Sequence, residues 1–437
     1  MRRSLLSLAL ATSLALATGA NAQAADPAAI ARHALDQMDA GEFAQVEHAF
    51  AAQMAAAVPA EKLKSVWESL PAQVGKATGR GDAAVSAQGA TTLVKIPLHY
   101  EKAELVATFA IDAEGRIAGF VVQPAQSAAP APAVAQDALF VERDLMVGEG
   151  ERSLPATLAL PKGSGPFPAI VLVHGSGPHD RDETIGPNKP FLDIARGLAA
   201  QGIAVLRYDK RTKARPQDFT GGIFGVDEET TFDAVLALDA LRKTEGIDPK
   251  RVFVLGHSQG GMMAPRIAAM SGHVRGLVLL AAPARPLLDI VVEQNRRLAV
   301  LDDGKTSDAE RDAISALAAQ VKATRDPATD AATRTVMNQP AGYWRSIDAV
   351  DPVAEARRVA LPMLVLQGAR DIQVVDADWQ AWRGAFHADP KVAFKLYDRL
   401  NHLGIAGDGE GSLAEYQQPG HVDPQLVGDV AAWIKAH

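Results

Sequence analysis

Five residues have the type and spacing for chemistry. Ser258 stands in Gly256-His257-Ser258-Gln259-Gly260, directly after the apolar run Arg251 to Leu255 and before Met262 to Met270, which has a helical pattern. A strand, a sharp turn and a helix in that order hold a serine hydroxyl clear of a sheet. The turn crowds its own backbone, so its neighbours must be small. The N–H of Gln259 opens the helix and is expected to face a tetrahedral oxyanion. Serine needs a base, and the base a carboxylate that orients it. Asp371 follows the apolar segment Met363 to Leu366 and the loop Gln367-Gly368-Ala369-Arg370, whereas His402 follows Ala393 to Leu396 and Tyr397-Asp398-Arg399-Leu400-Asn401. Both positions are loops after strands, where the catalytic groups of a parallel sheet gather. The second oxyanion donor is expected in His174-Gly175-Ser176-Gly177-Pro178, from the N–H of Ser176, with Gly177 as the other candidate. The chemistry is acyl transfer to water, with no cofactor and no metal.

Competing residues have weaker positions. His387 ends a helix carrying Trp379 and Trp382, His421 precedes the last helix and His437 is terminal. Asp376 and Asp378 fall at the start of a helix, and Asp398 lies in the strand-to-histidine loop. His174 and His257 are read as scaffold, His174 through a structural hydrogen bond.

The elements that must hold these residues alternate. Phe140 to Met146 and Pro155 to Leu160 read as antiparallel lead-in strands. Ala169 to Val173 and Ile203 to Tyr208 are apolar runs suited to a sheet covered on both faces, Leu277 to Ala281 is another apolar strand, and Met363 to Leu366 and Ala393 to Leu396 supply two more strands. Helical stripes lie between them: Phe191, Ile194, Ala195 and Leu198; Phe232, Val235, Leu236 and Leu241; and a closing helix from Val427 to Ile434. This pattern predicts an α/β fold with a mostly parallel, doubly wound sheet over residues 138–437. Residues 284–347 interrupt it with a charged, strand-free helical segment whose apolar points are Leu288, Val292, Leu298, Ala316 and Trp344. Inserted beside a nucleophile, it reads as a cap.

Ahead of the sheet, residues 27–123 predict a small α+β domain. Three helical pieces (Ile30 to Met38, Phe43 to Met54, Leu63 to Leu70) precede strands at Leu93 to Tyr100, Leu105 to Ile111 and Ile117 to Val122. Its histidines, His33, His48 and His99, have no metal-ligand spacing. Residues 124–137, rich in Ala and Pro, predict a linker. Residues 1–22 carry Arg2 and Arg3, the apolar stretch Leu5 to Ala17 and Ala20-Asn21-Ala22, the three regions of a cleavable signal peptide. The expectation is a secreted or periplasmic protein with no membrane span.

Composition narrows the classes further. A chain of 437 residues with 48% hydrophobic content can bury two cores, and a net charge of −8 argues against a nucleic-acid partner. With no cysteine, thiolate catalysis, disulfides and Cys-ligated metals are excluded.

The set His174 to Glu183, Arg207-Tyr208-Asp209-Lys210-Arg211, Gly256 to Gly261, Gln367 to Asp371 and Leu400-Asn401-His402 resembles secreted bacterial α/β-hydrolases of the esterase or serine aminopeptidase S33 type. The first domain resembles the DUF3887 type of unknown function, with cystatin or NTF2-like character. The resemblance implies a triad of Ser258, Asp371 and His402, and an oxyanion hole from Ser176 and Gln259. It also sets Asp180, Arg181 and Asp182 beside that hole as a charged cluster, with Arg181 in a structural salt bridge. The expected substrate is a small-molecule carboxylic ester of small to medium acyl size. An aminopeptidase or amidase remains open, since Asp289, Glu293, Asp302 and Asp303 in the cap could hold an amine, as does an inactive binding protein. Homo-oligomerisation through the first domain is a further expectation.

Overall fold

The computed structural model describes residues 26–88, 91–124, 139–219, 224–301 and 304–437. The leader, nearly all of the linker, and Asp302 and Asp303 lie outside the described residues. The chain separates into two compact units on either side of the Ala125–Gln126 boundary.

In the first unit, helices Pro27–Asp39, Phe43–His48, Ala52–Ala57 and Ala60–Val74 precede five strands: β1 (Ala77–Arg80), β2 (Ala84–Gln88), β3 (Thr91–Tyr100), β4 (Glu104–Ile111) and β5 (Ile117–Pro124). The pairing is antiparallel, in the order β1-β3-β4-β5 with β2 also on β3. Alternation along β4 turns Leu105, Ala107, Phe109 and Ile111 into the core, against Leu35, Met38, Val46 and Trp67 of the helices. One expectation fails here. The stretch Phe43 to Met54 is two helices, because the backbone around Phe50 pairs with Ile117 instead of continuing the helix (Ala51 N to Ile117 O, 2.9 Å; Ile117 N to Ala49 O, 2.9 Å).

The second unit is built on an eight-stranded sheet of β6 (Phe140–Val147), β7 (Leu154–Pro161), β8 (Phe167–Val173), β9 (Ala204–Tyr208), β10 (Ile247–His257), β11 (Leu277–Leu280), β12 (Met363–Gly368) and β13 (Val392–Tyr397). Their order is β13-β12-β11-β10-β8-β9-β7-β6, parallel from β13 to β9, with β7 antiparallel to β9 and β6 antiparallel to β7. Helices cover both faces. Along β10, Val252 and Val254 enter a core with helices Phe232–Arg242, Gln259–Ser271 and Asp376–Phe386. Phe253 and Leu255 enter the opposite core with helices Pro190–Ala199 and Pro424–Ala436. Two buried faces explain why β8, β11 and Val252–Leu255 of β10 are unbroken apolar runs.

Residues 284–347 form helices Leu287–Leu301, Asp308–Arg325 and Ala341–Asp348. Leu288, Val292 and Trp344 are buried as expected, but Leu298 is half-buried and Ala316 exposed. Only Val321 and Thr324 of the second helix are buried, so most of that helix faces away from the core. In Phe232–Arg242, Phe232 and Leu236 are exposed, and Ala234, Ala237, Leu238 and Leu241 form the packed face.

Candidate active site

The parallel strands end along one edge of the sheet, and every predicted site residue follows a strand at that edge, Gln259 as the first residue of a helix and the others in turns or loops. Ser258 follows β10 with φ 52° and ψ −122°, a strained conformation for a residue bearing a Cβ. The glycines around it are sterically required. A Cβ on Gly256 would collide with the Gly260 carbonyl, and one on Gly260 with the Val173 carbonyl. On Gly261 it would lie 2.6 Å from the Ala282 Cβ. The turn is pinned by Ser258 N to Leu280 O (2.9 Å) and Met262 N to Ser258 O (3.0 Å).

Asp371 and His402, from the loops after β12 and β13, are both buried, with His402 Nδ1 2.8 Å from Asp371 Oδ2. The carboxylate is fully engaged. Its Oδ1 accepts from Gln373 N (2.8 Å) and Val374 N (3.0 Å), and its Oδ2 also accepts from Gln367 Nε2 (3.1 Å). With Nδ1 donating to Asp371, the imidazole lone pair falls on Nε2, as a general base requires. Asn401 shapes the histidine loop by accepting from Leu403 N (3.0 Å) and Ile405 N (3.2 Å).

Ser176 is exposed in the loop after β8, and Gln259 is buried at the first position of the Gln259–Ser271 helix. Among the described residues neither the Ser176 N–H nor the Gln259 N–H has an acceptor in the chain.

Apart from Asp398, which is exposed, the competing residues Asp378, His387, His421 and His174 are engaged elsewhere. Asp378 is fully buried, accepting from Ala284 N (2.9 Å) and from Arg285 Nη2 (2.7 Å), and so anchors the start of the cap. Asp398 is exposed, His387 Nδ1 lies 3.1 Å from Arg383 O, and His421 pairs with Asp193. His174 is sealed among Phe191, Tyr208 and His179 with Nε2 3.0 Å from Asp180 O, and burial holds it neutral, down at about 3. Arg181 is bound to Asp209 through Nε (3.0 Å) and Nη2 (3.1 Å), and Asp182 pairs with Arg207, so this charged cluster is internally matched.

The sequence profile of the serine aminopeptidase S33 family matches residues 165–406, more than half of the chain. The profile of a protein family of unknown function, DUF3887, matches residues 31–120. The chain belongs to the serine aminopeptidase S33 family of α/β-hydrolases. It is 37% identical over 383 residues to the esterase EstD of Thermotoga maritima, covering 87% of this chain and 89% of that protein. Among solved structures, Est1E from Butyrivibrio proteoclasticus aligns over 67% of this chain and 99% of its own at 16% identity (TM-score 0.43). The esterase domain of a Rhodothermus marinus protein aligns over 68% and 98% at 19% identity (TM-score 0.41).

Around this S33 site the structure adds charged residues to which sequence reasoning gave no role. Glu183, fully buried with φ 52°, accepts from Gly175 N (2.7 Å) through Oε1 and faces His257 Nδ1 (3.0 Å) through Oε2. The other His257 nitrogen, Nε2, faces the His402 carbonyl oxygen at 2.9 Å. Two acceptors around one ring require two N–H donors, so His257 is an imidazolium. Burial opposes its charge, but the Glu183 carboxylate outweighs that and raises it above the ordinary histidine value. Burial likewise opposes Glu183, yet His257 holds its carboxyl down at about 2. Lys210 and Glu229 form a second buried pair, Nζ to Oε1 at 2.8 Å, with Lys210 Nζ also 2.8 Å from Gly175 O. Glu229 Oε2 accepts from Gln259 Nε2 (2.8 Å) and from the hydroxyl of Tyr343 in the cap (2.8 Å). Burial, then Glu229, keep that phenol protonated and donating. The one available signal was a cluster of charges directly after the apolar strand β9.

Beside Ser176 a cleft of about 410 Å³ is walled by Phe219, Phe224, Met337, Tyr343 and Trp344, with Glu229 at its edge. Among the described residues no group of three or more His, Cys, Asp or Glu side chains could hold a metal, and no helix is long and apolar enough to cross a membrane.

Proposed function

We propose that this S33-family hydrolase is a serine carboxylesterase in which Ser258 is the nucleophile, His402 the general base and acid, and Asp371 the group that fixes the imidazole. The Asp371–His402 hydrogen bond carries this reading, since it leaves Nε2 as the basic nitrogen. Ser258 Oγ attacks the ester carbonyl carbon as its proton passes to His402 Nε2. The oxyanion is met by the N–H groups of Ser176 and Gln259. His402 then protonates the departing alcohol, and water activated by the same nitrogen releases the acid from the acyl-enzyme.

Two observations favour an ester over an N-terminal amine. Of the four cap acids open to an aminopeptidase, the two described, Asp289 and Glu293, are tied to Arg325 and Arg285. The carboxylate at the cleft, Glu229, is matched by Lys210 and has both oxygens engaged. Among the described residues no free anion lines the cleft to receive an ammonium group. The esterase name of the Thermotoga maritima relative agrees with this choice. The aromatic-walled cleft of about 410 Å³ suits an acyl group of small to medium size. We propose further, on the leader pattern alone, that the protein is exported.

The test is turnover of p-nitrophenyl esters from acetate to octanoate beside aminoacyl p-nitroanilides, by wild type and Ser258→Ala. The expected outcome is Ser258-dependent ester hydrolysis alone, with kcat lowered by roughly 10⁶ in the variant. Anilide turnover exceeding ester turnover would replace the esterase by a peptidase, and unchanged turnover in Ser258→Ala would remove the mechanism.

A further inference from the structure

We infer that the buried Lys210–Glu229 pair is the positioning element of the oxyanion hole, and that Tyr343 ties it to the cap. This rests on the proposed role of Ser258.

The Ser176 N–H belongs to the same peptide unit as the Gly175 carbonyl. In a trans peptide these two groups point in opposite directions, so whatever holds the carbonyl aims the N–H. Lys210 Nζ holds that carbonyl at 2.8 Å from inside the protein. The other side of Gly175 is gripped as well, its N–H donating to Glu183 at 2.7 Å, so the residue cannot rotate freely. A cation on the carbonyl oxygen also draws electron density through the amide and makes the attached N–H a stronger donor.

Lys210 is in turn fixed by Glu229, and Glu229 is shared. Its second oxygen receives the side chain of Gln259, whose backbone N–H is the other oxyanion donor, and the hydroxyl of Tyr343. One carboxylate thus touches both residues that carry or hold the two amides, Lys210 at the first and the Gln259 side chain at the second. Glu229 sits in the π-helical turn Asp227–Thr231, a widened turn of the kind found at functional sites. Tyr343 lies in cap helix Ala341–Asp348 and lines the cleft beside Ser176, which brings the cap to the same carboxylate. None of these three side chains needs to touch the reacting atoms. They act through the peptide units at 175–176 and 258–259.

The experiment compares wild type with Lys210→Met, Glu229→Gln, the double variant Lys210→Met/Glu229→Gln, and Tyr343→Phe. kcat and KM are measured for p-nitrophenyl butyrate, and inhibition by phenylboronic acid, which forms a tetrahedral adduct on serine. The double variant leaves no orphan charge, so it remains folded by circular dichroism if either single variant does not. Lys210→Met and the double variant are expected to lose roughly 10²–10³ in kcat, as when an oxyanion donor is removed. KM should stay near the wild-type value, and phenylboronate should weaken by the same factor as kcat. Glu229→Gln should follow the same pattern less severely, and Tyr343→Phe should lose roughly tenfold in both quantities. A double variant with wild-type kcat, a change confined to KM, or a kcat loss without boronate loss would overturn the inference. So would a Tyr343→Phe enzyme indistinguishable from wild type. If wild-type turnover survives Ser258→Ala, the fault lies with the role of Ser258 and not with the pair.

Discussion

Replacing Glu183 by Gln removes the negative half of a fully buried ion pair and leaves the shape almost unchanged. His257 then keeps its place between the substituted amide side chain and the His402 carbonyl but loses the partner that offsets its desolvation. The displacement of the Glu183 carboxyl from 4.5 to about 2 is worth on the order of 3 kcal/mol. Orphaning one charge of a buried pair costs about 3–5 kcal/mol, a similar size. The pH dependence has a definite sign. A depressed carboxyl stabilises above its unfolded value, so this contribution is present above 4.5 and disappears as pH falls toward about 2. A raised histidine stabilises fully below its unfolded value of 6.5 and loses that contribution as pH rises through the folded value. The stability gap between wild type and Glu183→Gln should therefore be widest between pH 4.5 and 6.5 and narrow on both sides. Urea unfolding followed by tryptophan fluorescence reads it well, since Trp344, Trp379, Trp382 and Trp433 lie in the second unit and Trp67 alone in the first. A gap that is below about 1 kcal/mol, or flat across that range, would refute the imidazolium assignment.

Other perturbations follow from the same geometry. Asp371→Asn keeps the shape of the residue but can hold the wrong His402 tautomer, and kcat for a p-nitrophenyl ester should fall by roughly 10⁴, with a stability loss of about 1–3 kcal/mol because the new NH2 faces the Gln367 Nε2 donor. Gly260→Ala would push a Cβ onto the Val173 carbonyl, so this variant should be inactive or insoluble, which expression and a melting curve would report. Phe224→Ala removes a wall of the cleft, and the preferred ester should shift to longer acyl chains across an acetate-to-octanoate series. Phe253→Ala empties a site between β10 and Trp433 and should cost about 3–5 kcal/mol in urea unfolding without altering KM.

Much of the second unit was legible because its signals are local. Strand segments buried on both faces must be apolar, and β8, Val252–Leu255 of β10 and Met363–Leu366 of β12 are so. The elbow needs glycine at fixed offsets, and Asp371 and His402 each follow a parallel strand of the sheet. The partnerships that organise the site are not local. Glu183 and His257 are 74 positions apart, and Tyr343 and Glu229 are 114 apart, so no periodicity or spacing connects them. The cap shows the same limit. Its first helix buries Leu288 and Val292 as its pattern suggests, whereas Ala316 is exposed, because the second helix presents so little of itself to the core. In the first unit the short strands β1 and β2 were missed, and β1 is largely exposed, with no apolar alternation to betray it.

The most direct test of the central claim is to treat the purified protein with an organofluorophosphonate and map the adduct by mass spectrometry. A single adduct on Ser258, lost in His402→Ala and accompanied by loss of ester turnover, is the expected result. Absence of an adduct on active protein, or an adduct on another residue, would contradict it.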